Sequence, residues 1–184
     1  MSNVTATDGV SLTVHRYTEI DPTRPTILAI HGFPDNHHVW DGVAQEMGTL
    51  GKRYNFVAYD VRGAGESSCP ATRSGYALAQ LVSDIGAVID SLGVERVHLL
   101  GHDWGSIQAW AAVTDDTVMG KIGSFTSIFG PAPAIRGGVP AVGPGAARRG
   151  PGGRAADGVG LHRLLPQPGG AGAGVSVQDR RESR

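Results

Sequence analysis

The sequence predicts an α/β domain over its first 131 residues, with a mostly parallel sheet covered by helices on both faces. Short apolar runs, typical of buried strands, alternate with longer segments in which apolar residues recur every three or four positions. Turns rich in glycine and polar residues follow the strands. The 3 Trp, 4 Tyr and 4 Phe residues all lie at or before Phe129, which marks a change in the chain near that point.

Five strands are predicted, at residues 10–17, 26–30, 56–59, 97–100 and 122–128. The first alternates apolar and polar side chains, which indicates one solvated face. The next three are apolar on both faces, as expected for strands in the middle of a parallel sheet. The last is rich in β-forming residues.

Three helices connect these strands, at residues 36–50, 76–92 and 107–113. The first is capped by Asp35 or Asn36 and places three apolar side chains on one face: Val39, Val43 and Met47. The second has a longer apolar stripe and ends at a glycine. Strands and helices that alternate at this spacing predict right-handed crossovers between parallel strands.

Residues 132–184 differ from the rest of the chain, since 36 of these 53 residues are Gly, Ala, Arg or Pro. Their net charge is +5, against −6 for residues 1–131. So few apolar residues predict disorder from about residue 133. Arginine without lysine suggests a frameshifted or misannotated end of a GC-rich gene. A natural linker and an RNA-binding tail are the alternatives.

The net charge and the cysteine content indicate which binding partners and which cellular compartment to expect. The formal net charge of −1 gives no reason to expect a nucleic acid or an anionic membrane as a partner. The single cysteine, Cys69, excludes an internal disulfide and suits a reducing compartment. No apolar run approaches the roughly 18 residues of a membrane span, and the start lacks a signal-peptide pattern. A cytoplasmic location is therefore expected.

Residues at the ends of the strands are candidates for function, because ligands bind at the carboxyl edge of such sheets. Gly101-x-Asp103-x-Gly105 lies between a strand and a helix and fits a nucleophile elbow. An aspartate there is ionised at neutral pH and suited to attack an sp³ carbon. Alternatively, Asp103 is only a helix cap.

Two further segments follow strands. His31-Gly32-Phe33-Pro34 reads either as a functional loop or as a plain strand-to-helix turn. The glycine-rich segment 60–65 also invites a dinucleotide-binding interpretation. That interpretation is weak, because the spacing is not G-x-G-x-x-G and no helix opens on the last glycine.

The ordered motifs HGFPD, YDVRGAGESS and GHDWGS resemble the α/β-hydrolase superfamily over roughly residues 5–131. The aspartate elbow followed by Trp104 resembles its epoxide hydrolase and haloalkane dehalogenase branch. The resemblance implies that Asp103 forms a covalent ester with a small apolar substrate such as an epoxide, without a metal or cofactor. It also implies that the backbone N–H groups of Phe33 and Trp104 form an oxyanion hole. Six residues support these two motifs: His31, Gly32, Pro34, Gly101, His102 and Gly105.

The resemblance further implies two cap tyrosines that protonate the epoxide and a late histidine, paired with an acid, that activates water. All four tyrosines precede Asp103, and none of the seven histidines has the context of that late base. We therefore expect an incomplete α/β-hydrolase domain, truncated after about residue 131 and inactive on its own. The HGFP motif and the RG-G-SS loop favour an epoxide hydrolase. The alternatives are a dehalogenase, in which Trp104 helps to hold the halide, and a non-catalytic binding module.

Overall fold

A computed structural model describes residues 1–49 and 53–129 as one six-stranded sheet with three helices. The strand order is β1-β2-β4-β3-β5-β6. The strands are β1 Ser2–Thr5, β2 Ser11–Arg16, β3 Thr26–Ile30, β4 Asn55–Tyr59, β5 Val97–His102 and β6 Ile122–Ile128. The helices are α1 Asp41–Thr49, α2 Leu78–Leu92 and α3 Trp104–Ala112. The structure does not describe residues 130–184, so the predicted boundary at residue 131 and the predicted tail lie outside the described residues.

The sheet is mostly parallel, as predicted. Strands β4, β3, β5 and β6 run parallel, while β1 and β2 are antiparallel. Ile30 of β3 is level with Tyr59 of β4 and Gly101 of β5. This register brings the segments that follow the three central strands to one edge of the sheet.

Helices cover both faces, but unequally. The face under α2 and α3 carries the larger apolar core, which includes fully buried side chains such as Leu28, Ile30 and Val57. The face under α1 has a small buried cluster of Ala29, Phe56, Ala58 and Trp40. Burial of each large apolar side chain contributes roughly 1.5–3 kcal/mol, so the α2–α3 side dominates the stability of the sheet.

Two of the three residues predicted on the apolar face of the first helix, Val39 and Val43, do not face the core, whereas Met47 does. Val39 and Val43 are 41% and 39% exposed, whereas Trp40 is 3% exposed. The reason is a 3₁₀ turn over His37–Trp40, capped by the Asn36 side chain, that precedes α1. Successive side chains of a 3₁₀ turn are about 120° apart, instead of the 100° of an α-helix. This changes which side of α1 faces the sheet, so that Trp40, Ala44 and Met47 pack against it.

The ends of the other helices and strands differ from the predicted ends by a few residues. Helix α2 begins at Leu78 after a second 3₁₀ turn and ends, as predicted, at Gly93 with φ of 66°. Helix α3 begins three residues earlier than predicted, directly after Asp103. Strand β1 is an unpredicted edge strand, which extends the domain from residue 5 to residue 2. None of the helices in the described residues is long and apolar enough to cross a membrane.

Candidate active site

Asp103 lies on a strained turn between β5 and α3. Its φ is 52° and its ψ is −120°, a conformation that L-residues rarely adopt and that costs about 1–3 kcal/mol. Backbone hydrogen bonds hold it there, since its N–H donates to Ile128 O at 3.0 Å and its carbonyl accepts from Ser106 N at 3.0 Å. Asp103 occupies the N-cap position of α3, but its side chain makes no capping hydrogen bond to the helix.

Glycines allow this turn to pack. A Cβ at Gly101 would come within 2.8 Å of the Ser106 Cα, and one at Gly105 would overlap the Ile30 carbonyl oxygen. Ser106 secures the same corner, since its hydroxyl donates to Gly101 O at 2.7 Å. Both glycines of the G-x-D-x-G motif are therefore required by close contacts between strand and helix.

The loop after β3 approaches the Asp103 carboxylate directly. The backbone N–H of Phe33 donates to Asp103 Oδ1 at 3.1 Å. A Cβ at Gly32 would lie 2.5 Å from the Asp103 Cβ, so this approach requires glycine. The peptide bond between Phe33 and Pro34 is cis. The structure thus brings the two predicted motifs together.

His31 fixes this loop. Its ring is buried, its Nδ1 donates to Gly32 O at 2.7 Å, and its Nε2 accepts from Val61 N at 2.9 Å. Burial lowers the pKa of His31, which keeps the ring neutral and suited to both roles. His31 is therefore a structural bridge between the loops that follow β3 and β4.

The other two predicted residues lie on either side of Asp103. Trp104 is the first residue of α3, where backbone N–H groups have no intrahelical acceptor, and its side chain is about half exposed. The ring of His102 packs edge-on against Trp40 on the α1 side of the sheet. The His102 side chain makes no hydrogen bond to the Asp103 carboxylate in the part of the chain described.

A cavity of about 920 Å³ opens beside this site. The loop after β3, the loop after β4, α2 and α3 all line it. Phe33 and Trp104 form the wall that the cavity shares with the site. Leu81, Tyr76 and Gln108 are among its other lining residues. Its lining combines aromatic and apolar side chains with polar and charged ones, among them Asp35, Arg62 and Arg73.

Sequence reasoning missed a second carboxylate, Asp60, at the end of β4. It is fully buried, and it accepts hydrogen bonds from His37 N at 2.8 Å, His37 Nδ1 at 2.9 Å, Glu66 N at 2.9 Å and His15 Nε2 at 3.0 Å. Burial alone raises the pKa of Asp60, but these hydrogen bonds outweigh it and hold the pKa below its usual range. Its position directly after a strand was the available signal.

His15, His37 and Asp60 form the one group in the described residues with the ligand types and spacing of a metal site. The two rings are stacked 3.4 Å apart with an interplanar angle of 7°. A metal ion binds a histidine nitrogen in the plane of the ring, and two parallel rings 3.4 Å apart do not share a plane. The Asp60 carboxylate instead accepts an N–H group from each ring. The cluster is thus better suited to hold the carboxylate than a metal.

The glycine-rich loop closes on the same carboxylate. A Cβ at Gly65 would overlap Asp60, and the neighbouring Glu66 N–H is occupied by Asp60 Oδ2. This loop is followed by a 3₁₀ turn at Arg73–Tyr76, not by a helix that opens on the last glycine. The geometry offers no pyrophosphate cradle, so the dinucleotide-binding interpretation finds no support here.

Comparison with known proteins agrees with this architecture. A family profile described as the alpha/beta hydrolase fold matches residues 25–142. The chain is 42% identical over 130 residues to the probable oxidoreductase EphD of Mycobacterium tuberculosis, a match that covers 70% of this chain and 21% of that protein. It is 39% identical over 88 residues to epoxide hydrolase 3 of Siraitia grosvenorii, which covers 48% of this chain and 27% of that one.

Solved structures give the same result. The crystal structure of epoxide hydrolase VrEH1 from Vigna radiata matches with a TM-score of 0.60 at 34% identity, covering 68% of this chain and 37% of that one. The chain therefore spans well under half the length of these relatives. Family profile, sheet order and elbow together show that the chain belongs to the α/β-hydrolase fold family, where it is most similar to the epoxide hydrolase branch.

Proposed function

We propose that this chain carries the nucleophile half of an epoxide hydrolase active site, with Asp103 as the nucleophile. The observation that carries the proposal is the Asp103 carboxylate itself. It is held on a strained backbone at the carboxyl edge of the sheet and accepts one hydrogen bond, from the Phe33 amide. Within residues 1–49 and 53–129, the Asp103 side chain makes neither a capping hydrogen bond to α3 nor an ion pair that would account for that placement.

The first chemical step is attack by one Asp103 oxygen on an epoxide carbon. The carbon–oxygen bond of the epoxide breaks as the ester bond forms, and the released alkoxide takes a proton from water. Asp103 Oδ1 already accepts the Phe33 N–H, so Oδ2 is the oxygen free to attack. Oδ1 then becomes the carbonyl oxygen of the ester.

The second step is hydrolysis of that ester. Water adds to the carbonyl carbon and gives a proton to the hydroxide left by the first step, while negative charge develops on Oδ1. Collapse of this intermediate breaks the bond between the carbonyl carbon and the alkoxy oxygen, and that oxygen takes the proton of the new carboxyl group, which releases the diol and regenerates the Asp103 carboxylate. The Phe33 N–H is already placed on the oxygen that becomes charged, and the Trp104 N–H at the start of α3 supplies the second donor. One such donor contributes about 10²–10³ in rate in other hydrolases.

Hydrolysis also needs a base that activates water. Among residues 1–49 and 53–129, no histidine donates to or accepts from the Asp103 carboxylate, and both ring nitrogens of His31 are engaged elsewhere. We therefore expect the 184-residue chain to form the ester and to release the diol slowly. Loss of a triad member lowers rates by about 10⁴ in related hydrolases.

The test is covalent trapping. The full chain is incubated with styrene oxide, and intact mass and peptide mapping are measured over time. We expect one adduct per chain, of the mass of the epoxide, on the peptide that contains Asp103, and little diol. Asp103→Asn should abolish the adduct, whereas Asp116→Asn, which changes an exposed carboxylate beyond the far end of α3, should leave it unchanged.

The outcomes separate the alternatives. An adduct spread over many carboxylates, or one that persists in Asp103→Asn, would contradict the proposal. An adduct that forms with 1-bromohexane but not with the epoxide would favour the dehalogenase alternative, since the same carboxylate would then displace bromide. If the chain forms an adduct with neither compound, the result would contradict the proposal and favour the alternative of a non-catalytic binding module.

A further inference from the structure

The cavity beside the site contains one buried polar group that the fold does not use. Three polar side chains that line it are almost completely buried: His31, Arg62 and Gln108. Both ring nitrogens of His31 are hydrogen-bonded, as described above. The five N–H groups of Arg62 are directed at Asp8, Asp84 and the Gly75 carbonyl. Gln108 differs from both.

Gln108 is 3% exposed, and its Oε1 accepts no hydrogen bond from any residue in the part of the chain described. An apolar side chain of similar length would fill this position without leaving a buried acceptor unpaired. Four other buried side-chain atoms of the described residues also lack a partner, those of Trp40, Tyr59, His102 and Trp110, but of these five residues Gln108 is the one that lines the cavity. Gln108 lies one helical turn after Trp104 and lines the same cavity.

We propose that this cavity binds the part of the substrate remote from the reacting carbon, and that Gln108 Oε1 selects a ligand with a hydroxyl or amide N–H at that end. The inference rests on the proposed function for the position of the reacting carbon. Phe33 and Trp104 form the wall common to the cavity and the site, so one molecule can touch both. The Arg62 guanidinium on the cavity wall has no N–H left for a ligand, so Gln108 is the buried group that can bind the ligand's polar end.

The test compares 2-phenylethanol with its methyl ether, in which a methyl group replaces the hydroxyl hydrogen and so removes the donor. Binding to the full chain is measured by NMR titration, following the Gln108 side-chain amide and the Trp104 indole N–H. We expect the alcohol to bind about five- to tenfold more tightly, the effect of one hydrogen bond to a buried acceptor. Gln108→Leu should bring the ratio of the two dissociation constants to about one.

Gln108→Met is a second variant of similar length, for the case that the leucine variant does not fold, and Trp104→Phe assigns the indole signal. A preference for the alcohol that survives both Gln108 variants would overturn the inference. So would binding of both probes away from the cavity, or no binding at saturating concentration.

Failure of this inference is distinguishable from failure of the proposed function. Asp103→Asn removes the nucleophile but leaves Gln108 in place, so it should lose the epoxide adduct and keep the preference for the alcohol. A wild-type chain that prefers the alcohol but forms no adduct contradicts only the proposed function. One that forms the adduct without the preference contradicts only the role of Gln108.

Discussion

Two aspartates follow strands on either side of β3, and they have opposite environments. Asp60, after β4, is fully buried and accepts four hydrogen bonds. Asp103, after β5, is partly exposed, lies on a strained backbone and accepts one. A carboxylate whose lone pairs are all engaged stabilises the loops around it, whereas one that is held in position but largely unpaired remains available for reaction.

The largest expected difference between them is in stability. Asp60→Asn replaces one acceptor oxygen by an NH₂ group that faces N–H donors, so we expect the free energy of unfolding to fall by about 3 kcal/mol or more. Asp103→Asn should change it by less than about 1 kcal/mol. Urea unfolding of the two variants and the wild type measures this contrast, and equal losses would refute it.

Acid should weaken the contribution of Asp60 to stability. The pKa of Asp60 is lowered in the folded chain, so its contribution is present above the unfolded pKa of about 3.9 and is lost as pH falls through the lower folded value. The stability gap between wild type and Asp60→Asn should therefore narrow between pH 5 and pH 2. Urea midpoints measured across this range test it, and a gap independent of pH would show that Asp60 contributes through packing.

The smallest expected effect concerns the strained backbone. Glycine adopts a φ of 52° without penalty, so Asp103→Gly should be more stable than Asp103→Ala by about 1 kcal/mol. Thermal unfolding of these two variants isolates the backbone, because both lack the carboxylate. If Asp103→Ala is as stable as Asp103→Gly, the turn carries no strain. Asp103 and Asp60 would then differ only in the hydrogen bonds that their carboxylates accept.

The nucleophile motif and its loop could be predicted from the sequence because their requirements are local. Gly101 and Gly105 bracket Asp103 within five residues, and the steric need for small residues is encoded at that spacing. The apolar stripe of α2 and the glycine at its end are equally local. The phase of α1 could not be predicted, since a short 3₁₀ turn leaves no distinct apolar pattern.

The sequence by itself determined the α/β fold class, most of its elements and the aspartate elbow, because periodicity, caps and close-packing glycines act between neighbours in the chain. Only the tertiary structure decided which polar groups are paired. The partners of Asp60 are 6, 23 and 45 residues away in sequence, and strand register brings them together. The unpaired amide of Gln108 emerges in the same way, since whether a buried acceptor finds a donor depends on side chains from other elements.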